Sequence, residues 1–204
     1  ANPTIDPARM QPGTVIIVPY DFPLVAEAVD YSSLLTEWIL EGLLVRYPFL
    51  REETVGSSVM GKKLSVLHIG QGRRQVFYNA AFHANEWITT PVLLKYAEEY
   101  AQAFAQGKKL NGVCVSWLYY GFTLSLLPMV NPDGVDLITG VLDNTQYEQQ
   151  ARKIAADYPD IPFPQGWKAN IAGVDLNLQF PAGWENAKEI KYAQGYRTPA
   201  PRDY

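Results

Sequence analysis

The run Gln75-Val76-Phe77-Tyr78-Asn79-Ala80-Ala81-Phe82 has strand character and passes through His83-Ala84-Asn85-Glu86 straight into an amphipathic stretch ending near Phe104. Apolar residues before the junction favour a pleated, buried segment. Those after it recur at helical spacing, with Val92, Leu93, Tyr96, Tyr100 and Phe104 on one stripe. A strand feeding directly into a long helix needs a sheet for the helix to cover. Other segments repeat the alternation, which points to an α/β layered domain. A chain of 204 residues can bury one substantial core, or one core with a small appendage.

A helix is expected from about Tyr31 to Arg46, capped by Ser32 or Ser33 and stopped by Tyr47-Pro48. Its inner face is read as Leu34, Leu35, Trp38, Ile39, Leu43 and Leu44. Strands are expected at Thr54 to Met60, Leu64 to Ile69 and Gln75 to Phe82, with tight connections at Gly61-Lys62-Lys63 and Gly70-Gln71-Gly72. Thr123 to Val130 reads as a covered strand ending in the turn Asn131-Pro132-Asp133-Gly134. A polar helix from Asn144 to Asp157 and a short strand at Gly173-Val174-Asp175-Leu176-Asn177 follow. Near the amino end, Thr14 to Val18 reads as a strand between Pro12-Gly13 and Pro19. Cys114, the lone cysteine, sits in an apolar run and is expected to be buried. Glu98, Glu99, Lys108 and Lys109 are read as a solvated helix face, and Trp117, Tyr119, Tyr120 and Phe122 as packing aromatics.

The net charge of −4 gives no electrostatic case for nucleic acid. No apolar run approaches the length of a membrane span, so membrane insertion is not expected. The start, Ala1-Asn2-Pro3, reads as a processed or trimmed edge, and the lack of an export signal there says little about compartment.

The chemistry sits at the strand–helix junction. His83 and Glu86 are three residues apart, and their nitrogen and oxygen donors suit Zn²⁺, a cation of intermediate softness. A His-x-x-Glu pair alone is a weak signal, and its plain alternative is a solvated turn. His68, the only other histidine, alternates with Leu64 and Val66 and reads as a structural strand residue.

Four segments occurring in order strengthen the metal reading. They are Gly56 to Lys63, the strand into His83-Ala84-Asn85-Glu86-Trp87-Ile88, Val130 to Val135, and Gly173-Val174-Asp175-Leu176-Asn177-Leu178-Gln179-Phe180-Pro181. Together they resemble the zinc carboxypeptidase family over roughly residues 30–204. Trp167-Lys168-Ala169-Asn170, with Gln179-Phe180-Pro181, is most similar to its bacterial branch that cleaves peptidoglycan stem peptides. Residues 2–25 resemble the closing half of a LysM wall-binding repeat. The resemblance thus divides the chain into a partial LysM-like segment and linker at 1–25 and a portion of the peptidase domain at 26–204. It implies an α/β fold with a mixed β-sheet flanked by helices, and a bacterial cell envelope or sporulating-cell setting.

The same resemblance implies roles. His83 and Glu86 match the first two zinc ligands, and Asp175 the carboxylate that holds the ligand histidine in its tautomer. Lys168 falls where the family usually has an arginine that stabilises an oxyanion, supplying the charge without the fork. Asn177 matches a contact to a substrate carboxylate, but its usual arginine neighbour is Leu178 here, and Asn85 stands where arginine is common. The missing arginine at Leu178 favours an endopeptidase over removal of a C-terminal residue, and the resemblance implies the γ-D-glutamyl–diaminopimelate bond. The family's second ligand histidine and its glutamate base have no counterpart up to Tyr204. The chain therefore resembles the amino-terminal portion of the domain, inactive alone, with a sheet edge open to self-association. The alternative is a non-catalytic cell-wall-binding module on a retained peptidase scaffold.

Overall fold

The computed structural model describes residues 9–14 and 22–204. The expected strand at Thr14–Val18 lies, apart from Thr14, outside the described residues, as does most of the LysM-like stretch. The described chain is an α/β fold with a mixed sheet.

Helix α1 (Ser33–Arg46) starts at Ser32, whose hydroxyl accepts from the Leu35 N–H at 3.2 Å. Its buried face is Thr36, Ile39, Leu40 and Leu43, whereas Leu34 and Trp38, expected inside, are exposed. Apolar residues surround this helix on nearly every side. Period alone therefore cannot choose the inward stripe, and packing does. Strands β1 (Arg51–Ser57) and β2 (Lys63–Gly70) form an antiparallel hairpin. Strand β3 (Arg74–Asn79) follows at once but does not pair with β2. Strand β6 (Phe122–Leu127) lies between them, antiparallel to β2 and parallel to β3, giving the order β1-β2-β6-β3. Gly70 and Gly72 thus make no hairpin. They let the chain pass against the backbone of residues 119–122, since a Cβ on Gly72 would lie 2.0 Å from the Gly121 carbonyl carbon.

Helix α2 (Thr89–Ala105) begins later than expected, because residues Ala84–Glu86 form a separate 3₁₀ turn. It buries Leu94, Ala97, Tyr100 and Ala101 against Ile39, Leu43, Leu67, Ile69, Leu124 and Leu126, while Val92 points to solvent. Glu98 is not on a wet face. It is buried and accepts the backbone N–H groups of Leu24 and Val25 at 2.6 and 3.4 Å, tying that segment to the core. The short pair β4 (Lys109–Leu110) and β5 (Val113–Cys114) precedes α3 (Val115–Gly121). Cys114 is exposed at the end of this two-residue ladder, contrary to its apolar context. Of the aromatic group, Tyr119 is buried and stacked on Phe104, whereas Trp117 and Tyr120 are exposed.

The Tyr100 hydroxyl is buried without a hydrogen-bond partner among the described residues. Burial, reinforced by Tyr96 and Tyr119, pushes its pKa up to about 12. Removing an unsatisfied hydroxyl removes a desolvation penalty. Tyr100→Phe is expected to raise stability by about 1 kcal/mol in denaturant unfolding, and a loss of that size would show that the hydroxyl is satisfied in solution.

Beyond β6, Asn131-Pro132-Asp133-Gly134 is not a free turn. It opens helix α4 (Pro132–Ile138), with Asn131 as cap and proline in the first helical position. Helix α5 (Gln146–Ala156) is capped by Thr145, and α6 (Trp184–Ala193) lies near the end of the chain. Gly173 to Asn177 forms no strand; Asp175 instead caps a 3₁₀ turn at Leu176–Leu178. A second apolar cluster of Ala84, Leu137, Leu142, Ala151, Trp167, Ala169 and Ile171 supports the junction after β3.

Candidate metal centre

Strand β3 ends at Asn79, and the chain continues irregularly through Ala81 at φ 49° to His83. The 3₁₀ turn then brings Glu86 back beside the imidazole. His83 Nδ1 lies 3.0 Å from Glu86 Oε1, and His83 Nε2 lies 3.4 Å from Asp175 Oδ1. The Lys168 ammonium donates to the same Glu86 oxygen at 3.4 Å. Asp175 is buried, His83 and Lys168 are mostly covered, and Glu86 is about half exposed. Burial works against the Glu86 carboxylate, but its hydrogen bond to His83 and the nearby charges of His83 and Lys168 hold its pKa below the usual glutamate value.

The structure therefore brings four of the five expected residues together. The fifth, Asn177, is exposed; its backbone N–H donates to Asp175 Oδ1 at 3.2 Å, but its side chain makes no hydrogen bond among the described residues. His68 stands apart, its ring between Ser125 Oγ at 3.0 Å and Glu53 Oε2 at 3.1 Å, as expected of a structural histidine. Asn85 donates to the Gln165 carbonyl at 3.4 Å. Asn131, read from the sequence only as part of a turn, packs beneath the cluster. The signal available for it was an asparagine directly before a proline, the pattern of a helix start.

A neutral imidazole has one donor and one acceptor nitrogen. Both ring nitrogens face a carboxylate, and with the proton on Nε2 towards Asp175 the Nδ1 lone pair is turned towards Glu86. Two acceptors 3.0 Å apart need a cation or a proton between them. Zinc bonds of about 2.0–2.2 Å at a tetrahedral angle separate nitrogen and oxygen donors by about 3.4 Å, so a slight opening of this pair admits the ion. A metal on that oxygen competes with the Lys168 ammonium. The pair fits two positions of a zinc site. A catalytic zinc takes three protein donors, and no cluster of three histidine, cysteine or acidic side chains able to hold a metal occurs among the described residues.

A model of the zinc carboxypeptidase family matches residues 36–203, and the chain belongs to that family. It is 42% identical over 176 residues to the gamma-D-glutamyl-L-diamino acid endopeptidase 1 of Lysinibacillus sphaericus, covering 86% of this chain and 42% of that protein. It is 37% identical over 178 residues to the protein YqgT of Bacillus subtilis (strain 168), covering 85% and 44%. The chain thus spans less than half the length of these relatives. Among solved structures, a metallo-carboxypeptidase of Pseudomonas aeruginosa is similar at 19% identity and a TM-score of 0.47, covering 79% of this chain and 37% of that one. Among the described residues, no helix is long and apolar enough to cross a membrane.

Proposed function

We propose that this chain serves a zinc-dependent metallopeptidase that cleaves peptidoglycan stem peptides at the γ-D-glutamyl–diaminopimelate bond. The observation that carries the reading is the meeting of His83 Nδ1 and Glu86 Oε1, with Asp175 behind the ring. In this reading His83 and Glu86 supply two protein donors. A zinc ion held there would supply Lewis-acid polarisation of the scissile carbonyl and a more acidic water. Asp175 holds the imidazole with its proton on Nε2, Lys168 steadies the developing oxyanion, and Asn177 contacts the substrate. The third donor and the general base come from outside the described residues. The choice of bond follows the relative from Lysinibacillus sphaericus and the absence of an arginine at Leu178 to dock a chain-terminal carboxylate. Residues 1–25 are assigned to a partial LysM-like segment and linker, and 26–204 to the peptidase portion.

Zinc content after dialysis, compared between the chain and His83→Ala, tests the reading. Metal retained by the first and lost from the second is expected; equal, near-zero content in both would remove the zinc assignment. Turnover of muropeptides by this chain alone is expected to be negligible, because two protein donors do not complete a catalytic zinc. Binding of an L-alanyl-γ-D-glutamyl-diaminopimelate peptide in preference to its α-linked isomer would support the substrate. Equal binding of the two would remove it. Retention of whole muropeptides without a role for His83 would favour the alternative, a non-catalytic wall-binding module.

We also propose that the edge of β3 pairs with a second copy of the chain. This outer strand leaves Phe77 and Tyr78 55% and 51% exposed, and open edges with apolar side chains recruit strands. Sedimentation velocity at increasing concentration should show dimers that Phe77→Lys suppresses; a monomer throughout would exclude this contact.

A further inference from the structure

The arrangement of His83 and Lys168 raises a question that β3 does not answer. The regular strand stops four residues before His83, and Lys168 sits in a loop with no helix or strand of its own. Something else must hold the two segments in register. The Ala84 N–H donates to the Lys168 carbonyl at 3.1 Å, which is one direct link. The other runs through Asn131.

We propose that Asn131 is a positioning residue for this centre, clamping the His83 and Lys168 segments onto the start of α4. Its backbone N–H donates to the Ala81 carbonyl at 3.0 Å, two residues before His83. Its side-chain amide donates to the Ala169 carbonyl at 2.9 Å, with the Lys168 and Phe82 carbonyls each at 3.4 Å. Its side-chain oxygen accepts from the Gly134 N–H at 3.1 Å. One buried carboxamide, 2% exposed, thus touches the residue before His83, Lys168 and its neighbour, and the helix start.

Capping alone does not account for the residue type. Serine, threonine or aspartate would accept from Gly134 equally well. Only asparagine of these adds an amide donor in the same group. Gly134 fits the same picture, because a Cβ there would stand 2.6 Å from the Asn131 amide nitrogen and 2.7 Å from the Ala169 carbonyl oxygen. The second donor on that carbonyl, the Trp167 indole at 2.9 Å, leaves it fully used. Asn131 touches no metal donor atom and acts through backbone.

Asn131→Ser keeps the cap and removes the amide, and it can be compared with Ser58→Ala. That control removes a 2.9 Å hydrogen bond to Asp133 in the same helix without touching either site segment. Hydrogen exchange of the Ala84 amide reports the link to Lys168 directly and needs no metal. In Asn131→Ser it is expected to quicken at least about tenfold more than in the control. Zinc affinity, read by chelator competition, should fall about 10- to 100-fold, as for other residues that orient a ligand from behind. Ala84 exchange matching the control would overturn the proposal. The zinc readout rests on the function proposed above, and the two fail separately. A wild-type chain that takes no zinc removes the metal assignment, while quickened Ala84 exchange still upholds the clamp. If Asn131→Ser does not fold, exchange in the wild type decides. The Asn131 side-chain amide protons and the Ala84 amide should exchange at rates set by one shared opening, and fast Ala84 exchange beside a protected Asn131 amide would overturn the clamp.

Discussion

Replacing Trp167 by alanine is expected to cost about 3–5 kcal/mol, enough to lower the unfolding midpoint by roughly 10 °C in a chain of this size. Trp167 is fully buried and is the largest such side chain in the described structure. It fills the cluster made by Leu137, Leu142, Ala151, Ala169 and Ile171, and its ring meets Phe163 edge-on. Its indole N–H also donates to the Ala169 and Asn170 carbonyls at 2.9 and 3.2 Å. Alanine would therefore open a cavity and remove one of the two donors from each of these carbonyls, leaving the Asn170 oxygen to the Gly173 N–H and the Ala169 oxygen to Asn131. Trp167→Phe keeps most of the apolar volume and should cost about 1–2 kcal/mol for the lost hydrogen bonds and poorer fit. The exposed Trp117 provides the contrast, and Trp117→Ala should fall within about 1 kcal/mol of the parent. Denaturant midpoints that place Trp167→Ala beside Trp117→Ala would mean that the segment carrying Lys168 is not anchored as described. Because Lys168 follows Trp167 directly, the large variant should also loosen the ammonium from Glu86.

What could be read before any coordinates were known divides along the range of the interactions. The capped start of α1 at Ser32 or Ser33 and the existence of the polar helix α5 follow from chemistry within a few residues, so both are legible in the sequence, the Thr145 cap being added by the structure. The junction carrying His83 and Glu86 was visible for the same reason, and Asp175 and Lys168 came from ordered segments resembling a family. Non-local pairing was hidden. Nothing in Gly70-Gln71-Gly72 announces that β6, some fifty residues later, will separate β2 from β3. Glu98 looked like a surface acid because its partners, the N–H groups of Leu24 and Val25, lie more than seventy positions away. A helix apolar on most sides offers no stripe to read, so spacing points Leu34 and Trp38 inwards whereas packing leaves both exposed. The apolar Val174 and Leu176 around Asp175 suggest a strand and obscure a local signal, because its carboxylate accepts from the Asn177 N–H and caps a turn.

Asp175→Asn is expected to weaken zinc retention by about 10- to 100-fold while leaving the chain folded, at a cost of about 1–3 kcal/mol. The buried carboxylate takes the Asn177 N–H on Oδ1 at 3.2 Å and the Asp203 N–H on Oδ2 at 3.0 Å, and Oδ1 also faces His83 Nε2. An amide of the same shape offers one oxygen and one NH₂ group for these three partners. With the oxygen in the Oδ1 position the NH₂ group faces the Asp203 N–H; with the oxygen in the Oδ2 position it faces the Asn177 N–H and the ring together. In the second arrangement it donates to Nε2, drives the ring proton onto Nδ1 and blocks the lone pair that faces Glu86. Asp175→Ala separates the effects. It leaves both backbone donors unpaired, so it should lose more stability, yet it imposes no tautomer and should weaken zinc less per unit of stability lost. Nitrogen-15 NMR of the His83 ring, recorded with zinc added, reads which ring nitrogen holds the proton. In the wild type Nε2 should hold its proton against Asp175 while zinc occupies Nδ1, and the asparagine variant should leave a larger share of rings with the proton on Nδ1 and no metal. An asparagine variant with the parent's ring spectrum and the parent's zinc content would show that Asp175 holds the turn at Leu176–Leu178 and nothing more.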